Sequence, residues 1–302
     1  MPAEVSIIIP TYNAGPSFRR LLEALFAQDL KAPEIIVIDS SSTDGTVETC
    51  LEFGISPMVI AKEEFDHGGT RTMAAKRATG SILVFMTQDA LPAGPKSVGR
   101  LIEPFGQRRV AAAFGRQLPH EGASALSRHL RSFNYPEGSY CRTLKDRRKY
   151  GVKAAFLSNA FTAYRRSALE EIGWFKRGLV VSEDLYAGAR LLERGYELRY
   201  VAEAVVFHSH EYSLWEEFRR YFDIGTFYGK EPWITELLGR PEGEGVRFVL
   251  SQLSFLAREG RLYLVPESLL RAAVKFVAFR LGMNSRLLPR ALRQRLSMRY
   301  GS

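Results

Sequence analysis

Between residues 5 and 110 the chain alternates strand-like and helix-like apolar patterns, and this alternation limits its possible folds more than any other feature. Residues 5–9 form a continuous β-branched run, short enough for a strand buried on both faces. Gly15 and Pro16 follow, and the fixed φ of proline suits a helix start. Leu21, Leu22, Leu25 and Phe26 then recur at helical spacing. Residues 34–38 form a second strand, closed by Asp39, with Thr43 and Asp44 as candidate N-caps of a helix running to Phe53. A third strand is expected over 57–61, a helix over 69–79 stopped by Gly80, and a fourth strand over 81–86 that ends in Thr87, Gln88 and Asp89. Repeats of this kind build βαβ units, so the expected fold is α/β, with a Rossmann-like, mostly parallel sheet flanked by helices.

The later chain is less regular. Residues 115–155 lack a sustained period and are rich in Arg, His and Gly, which predicts a long functional loop. Strand character returns over 154–164. Residues 183–194 place Leu185, Ala189 and Leu192 on one helical face before Gly195. Residues 203–210 read as extended and 213–228 as a helix, while 240–245 (RPEGEG) reads as a linker. The expected division is a domain over 1–240 and a basic helical extension over 246–302.

Charge sharpens that division. The net charge is +9, yet residues 246–302 hold 11 Lys/Arg and 2 Asp/Glu, so the body is neutral. A nucleic-acid binder spreads its charge along a recognition face, so nucleic acid is not an expected partner. Residues 269–281 set Arg271, Lys275 and Arg280 among Leu, Val and Phe, the pattern of a helix drawn to an anionic inner-leaflet surface. No apolar run reaches the ~18 residues of a spanning helix. The start has no basic n-region, so no secretory signal is expected. Two cysteines, Cys50 and Cys141, suit a reducing compartment. A cytoplasmic protein, peripheral on the membrane through its tail, is the expectation. Neither a G-x-G-x-x-G after the first strand nor a G-x-S-x-G occurs, which argues against dinucleotide oxidoreductase and hydrolase readings.

Acids stand where strands end: Asp39 after the second, Asp89 after the fourth, with Glu183 and Asp184 opening a later helix. Ligands of open α/β sheets sit at the carboxyl ends of strands, so Asp39 and Asp89 are expected to face one cleft. His208 and His210 share one face of an extended segment. His67, Gly68 and Gly69 precede a helix whose N-terminus can receive a phosphate, with Arg71 one turn on.

In this order and combination, VSIIIPTYNAG, VIDSSSTDGT, TQDA and SEDLYAGARLLERG resemble the inverting nucleotide-sugar transferases of glycosyltransferase family 2, which have the GT-A fold. FDHGGTR, FGRQLP, FNYP, FLSNAFTAYRRSAL, VFHSHEYS and LPRALRQRLSM are similar to its bacterial rhamnosyltransferase subgroup. The resemblance implies a nucleotide-sugar site of Thr11, Tyr12, Asp39, His67, Gly68, Arg71, Gln88 and Asn159, with Asp39 on the pyrimidine and ribose. It implies Mg²⁺ or Mn²⁺ on Asp89 and His208, and Asp184 as general base beside Glu183. Gln88 stands where many relatives have an acid, which leaves the ligand set open. The implied reaction moves L-rhamnose from dTDP-L-rhamnose to a glycan or lipid-linked glycan hydroxyl. A UDP-hexose donor, and a non-catalytic nucleotide- or glycan-binding module of the same fold, are the alternatives. The oligomeric state stays open.

Overall fold

The computed structural model describes residues 4–239 and 242–298. Its first half is the expected βαβ series: β1 (Val5–Thr11), α1 (Ser17–Phe26), β2 (Glu34–Asp39), α2 (Thr46–Glu52), β3 (Met58–Val59), α3 (His67–Arg77), β4 (Ile82–Met86), β5 (Leu91–Pro92) and α4 (Ser97–Ile102). The second half follows as β6 (Val110–Leu118), α5 (Ala125–Asn134), β7 (Tyr140–Arg142), α6 (Arg147–Tyr150), β8 (Phe161–Arg165), α7 (Arg166–Glu171), α8 (Glu183–Glu193) and β9 (Glu197–Phe207). Helices α9 (Leu214–Lys230), α10 (Pro232–Leu238), α11 (Glu242–Arg258), α12 (Val265–Met283) and α13 (Arg290–Leu296) complete it.

One curled sheet runs β3-β2-β1-β4-β8-β6-β9-β5, with β7 on the outer part of β9. Strands β1 to β4 pair in parallel, as does β6 with β9. Antiparallel β8 lies between β4 and β6, which makes the sheet mixed. Because β8 reverses direction, the carboxyl ends of β1, β2, β4, β6 and β9 emerge on one edge, together with the start of β8. That edge carries the candidate site.

Each face of the sheet has its own apolar layer. Ile7 and Ile9 of β1 pack with Phe18, Leu21, Leu22 and Leu25 of α1 on one side. Ile8 faces the other side with Phe85, Tyr164, Leu191 and Leu192. This is why β1 is apolar without alternation.

Several local expectations need correction. Gly45, with φ +86°, caps α2, while Asp44 binds Thr46 and the amide of Gly15. Residues 115–155 are not one loop, since β6 extends into them and α5 lies within them. Strand β9 begins at Glu197, ahead of the expected 203. Of the expected linker, Arg240 and Pro241 lie outside the described residues, and 242–245 are the first turn of α11.

The C-terminal helices pack on the body. Gly225 and Gly229 of α9 meet the backbone of α12 around Phe279 and Met283, and Gly282 of α12 meets the carbonyl of Phe222. A Cβ on Gly225 or Gly282 would fall well inside contact distance of a backbone carbonyl, which no rotamer change can relieve. Alanine gains about 1 kcal/mol of helix propensity over glycine. Overpacking costs up to about 3 kcal/mol. G225A and G282A are therefore each expected to destabilise by about 2 kcal/mol, read as a lower denaturant midpoint.

The basic side chains of α12 do not all face outward. Glu217 of α9 receives Arg271 at 3.1 Å and Lys275 at 2.9 Å. The outward side is instead apolar, with Leu269, Leu270, Phe276 and Val277 exposed. No described helix is long and apolar enough to cross a membrane.

Candidate active site

The site is stitched together by hydrogen bonds between strand ends. Thr11 pairs with Asp39 in register, and its hydroxyl donates to Asp39 Oδ1 at 2.8 Å. The Ser42 hydroxyl donates to the same oxygen, and the Ser42 amide donates to Oδ2 at 2.7 Å. Asp39 is thereby fully buried and engaged by its own loops. It shapes the loop after β2. The loops after β1 and β2 hold Asn13 at φ +43° and Ser41 at φ +59°. Ser182, before α8, sits at φ +67°. Left-handed non-glycine residues cost about 1 kcal/mol or more each and gather at functional sites.

Gln88 joins the β4 end to the β1 loop. Its Oε1 accepts from the Tyr12 amide at 2.8 Å and its Nε2 donates to the Tyr12 carbonyl at 3.1 Å. A carboxylate could accept the first bond but not donate the second. The amide at this position thus has a structural cause, and Gln88 braces the cleft instead of facing a metal. Tyr12 itself is 40% exposed, with Lys62 Nζ 4.7 Å from its ring centre.

Asp89, His208 and His210 meet where β4 and β9 end. Asp89 Oδ2 lies 3.4 Å from His208 Nε2 and 3.6 Å from His210 Nε2. Gln117, at the end of β6, fixes the ring of His208. Its Oε1 accepts from Arg131 Nη1 at 2.7 Å and from His208 Nδ1 at 2.8 Å, while its Nε2 donates to Ser158 at 2.9 Å. His208 Nδ1 thus carries a proton toward Gln117, and Nε2 faces Asp89. Among the described residues that buried Nε2 makes no well-formed hydrogen bond, its nearest polar neighbour being Asp89 Oδ2 at 3.4 Å. A ligating histidine orients itself in this way through its other nitrogen. Burial raises the Asp89 carboxyl, but the adjoining His208 outweighs burial and holds it well below the usual carboxylate range. Burial, with His208 beside it, pushes His210 down to about 4, which leaves a neutral imidazole. The oxygen and two nitrogens fit a divalent cation, and two imidazoles favour Mn²⁺ over Mg²⁺.

The third acid approaches from α8. Asp184 Oδ1 accepts from the Leu185 amide at 2.8 Å, and Oδ2 from the Asn159 amide at 3.2 Å. Burial and the adjacent Glu183 push its carboxyl up to about 7. Glu183 points inward instead. Its Oε1 takes Asn159 Nδ2 at 3.0 Å and lies 3.3 Å from Arg71 Nη1. Burial raises Glu183, but Arg71 outweighs it and the net shift is downward. Tyr164 donates to Asn159 Oδ1 at 2.8 Å.

Three expectations change here. Arg71 is buried against Glu183 and the His67 carbonyl, not turned toward a diphosphate. Asn159 is buried and orients the two acids instead of lining a sugar pocket. Gly68 is a close-packing position, since a Cβ there would strike the carbonyl of Lys176. Asp66 caps this helix start, accepting from Gly69 at 2.5 Å and from Gly178 at 2.8 Å, so α3 does not offer an open phosphate seat. His67 packs edge-on to Phe65 at its first turn.

A continuous path of contacts therefore leads from Asp39 through Thr11, Tyr12 and Gln88 to Asp89. It continues through His208, Gln117, Ser158 and Asn159 to Asp184. The sequence model of Glycosyl transferase family 2 matches residues 6–173, which carry most of this path. The chain belongs to glycosyltransferase family 2. It is 41% identical over 288 residues to the O-antigen chain rhamnosyltransferase RfbN of Salmonella typhimurium, covering 95% of this chain and 91% of that one.

The fold of this family 2 glycosyltransferase is also that of solved structures. The mannosyltransferase PcManGT from Pyrobaculum calidifontis, in complex with GDP-Man and Mn²⁺, has a TM-score of 0.61 at 17% identity, covering 99% of this chain and 86% of that chain. S. aureus TarS in complex with UDP-GlcNAc gives 0.57 at 16% identity, covering 94% and 91%. The GT-A architecture expected for the glycosyltransferase is present. Sequence reasoning passed over Gln117, although it stands at a strand end as Asp39 and Asp89 do, and that position was the available signal.

Proposed function

We propose that this glycosyltransferase moves L-rhamnose from dTDP-L-rhamnose, with inversion, to a hydroxyl of a polysaccharide or lipid-linked glycan in O-antigen assembly. The similarity to the O-antigen chain rhamnosyltransferase RfbN over nearly the whole chain supports the transferred sugar and the process. The observation that carries the mechanism is the contact path joining the Asp89–His208–His210 cluster to Asp184.

In this reading Asp89, His208 and His210 would hold Mn²⁺, with Mg²⁺ as a weaker substitute. Such an ion, when bound, neutralises charge growing on the leaving diphosphate. Tyr12, braced by Gln88, seats the base, and Asp39 acts through Thr11 and the Ser40–Ser42 turn it shapes. Asp184 takes the proton of the acceptor hydroxyl while that oxygen attacks the anomeric carbon and dTDP departs from the opposite side. A base that titrates near 7 is well matched to this task at neutral pH. Glu183, Asn159 and Arg71 position it.

Turnover assays with Mn²⁺ test the donor. Transfer from dTDP-L-rhamnose is expected to exceed transfer from UDP-glucose by at least about 100-fold in kcat/KM. Equal rates would shift the assignment to a UDP-hexose enzyme, and no turnover with either would favour a binding module.

We further assign residues 1–240 as the transferase unit and 246–302 as its membrane-facing extension. Support comes from the exposed Leu262, Tyr263, Leu269, Leu270, Phe276 and Val277 and from the basic charge of the same segment. Deleting the segment would uncover α9, so substitution is the cleaner test. Vesicles containing anionic lipid are expected to co-sediment the wild-type protein and to lose a form with Leu269, Leu270, Phe276 and Val277 changed to Ser. Unchanged pelleting of that form would remove the assignment.

A further inference from the structure

A second cavity, of about 280 Å³, opens beside the site between the end of β6, α5 and α11. Arg116, Arg128, Arg131, Tyr135, Phe255 and Glu259 are among its lining residues. Its volume falls just below the roughly 300–1,000 Å³ typical of pockets for whole small-molecule ligands, and suits a smaller group.

Its charge is unbalanced. Arg128 pairs with Glu259 at 2.8 Å. Among the described residues the carboxylate that Arg116 reaches is Glu137, at 3.4 Å, and that glutamate side chain is 91% exposed. Arg131 has no carboxylate within 4.0 Å among the described residues and gives one Nη to the neutral Gln117. Among the described residues the buried Nε atoms of all three arginines lack hydrogen-bond partners. Guanidinium groups left in this state suit a multivalent oxyanion, which takes several charge-assisted bonds at once.

Position identifies the bearer of that anion. The cavity lies at the end of β6, across Asp89 from the β1 and β2 loops that would seat the nucleotide. Arg131 shares the Gln117 oxygen with His208, so the cavity adjoins the reacting centre. Its outer wall is α11, which carries Phe255 inward and is followed directly by Glu259, while Val246 and Leu250 stay exposed. An anion in this place sits between the transfer site and the apolar surface of the extension.

We propose that Arg116, Arg128 and Arg131 bind a phosphate or diphosphate group borne by the acceptor. The proposal rests on the reading of a lipid-linked glycan acceptor and names the part of it that this enzyme recognises.

The test uses the full chain and the R116Q/R128Q double variant, which leaves Arg131 in place to hold Gln117. Two acceptors share one glycan, one ending in a prenyl diphosphate and the other in a plain alkyl glycoside. The wild-type KM is expected to be about tenfold lower for the diphosphate form, and the double variant is expected to lose that preference. Its kcat on the plain glycoside and its thermal protection by dTDP should stay unchanged, as should its folding midpoint. An R116K/R128K form should recover part of the preference. Absence of a wild-type preference, or its persistence in the double variant, would overturn the proposal. Loss of dTDP protection in the double variant would also overturn it, by assigning the arginines to the donor. Inorganic pyrophosphate titrated calorimetrically with EDTA present gives a readout free of turnover. Binding by wild type and not by the double variant supports the cavity even if the donor assignment fails.

Discussion

Asp184→Asn is expected to lower kcat by about 10²–10⁴-fold, the usual worth of a positioned general base, while dTDP should still protect the protein against heat. The substitution keeps one oxygen for the Leu185 amide and removes the group that takes the proton. Asp39, Asp89 and Tyr12 are untouched by it, so donor affinity should hold. Wild-type kcat/KM should fall on the acid side with an apparent pKa near 7, because protonated Asp184 cannot accept the hydroxyl proton. The stability sign is opposite to that of an ordinary salt-bridged carboxylate. The folded pKa, about 7, lies above the unfolded value, so protonation favours the fold below the unfolded pKa and that contribution disappears as pH rises through 7. D184N should therefore gain stability relative to wild type between pH 5 and pH 8, as seen in denaturant midpoints. An unchanged kcat, or a relative stability flat across that range, would remove Asp184 from this role.

His208→Ala is expected to abolish most turnover and to weaken Mn²⁺ binding by about 100-fold, to be read by electron paramagnetic resonance of free Mn²⁺. The reasoning is local. His208 Nε2 is buried and aimed at Asp89 at 3.4 Å, while Nδ1 is held by Gln117. Gln117→Ala leaves all three ligands present and frees only the ring, so its loss should be smaller, about 10–100-fold. Equal Mn²⁺ affinity in wild type and H208A would show that the cluster is not the metal site.

The parts of this enzyme that could be read in its sequence are those with one-dimensional signals. Strands β1 and β4 and the second half of β2 are buried on both faces and appear as apolar runs, and the acid that closes β2 and the one that follows β4 mark the edge of the candidate site. Helix α5 was not legible because its buried face includes Ser127 and His129, so polar residues break the apolar period. Asp184 and Glu183 were legible as a pair but not as different groups. Only the packing of α3 against α8 brings Arg71 to Glu183 and leaves Asp184 at the edge. Arg71 looked like an anion ligand because the sequence places it one turn after two glycines, and nothing local reveals that it is buried. Gln117 carries no charge, and its importance arises from a partner 91 positions away. The amide at Gln88 looked like a lost metal ligand until its two bonds to the Tyr12 backbone gave it a reason.

A crystal structure of the D184N protein with Mn²⁺ and dTDP-L-rhamnose tests the account most directly. The expected result has Mn²⁺ on Asp89, His208 and His210, the thymine against Tyr12, and the sugar's anomeric carbon turned toward residue 184. Density for the donor away from this edge of the sheet, or a metal bound without His208, would contradict it.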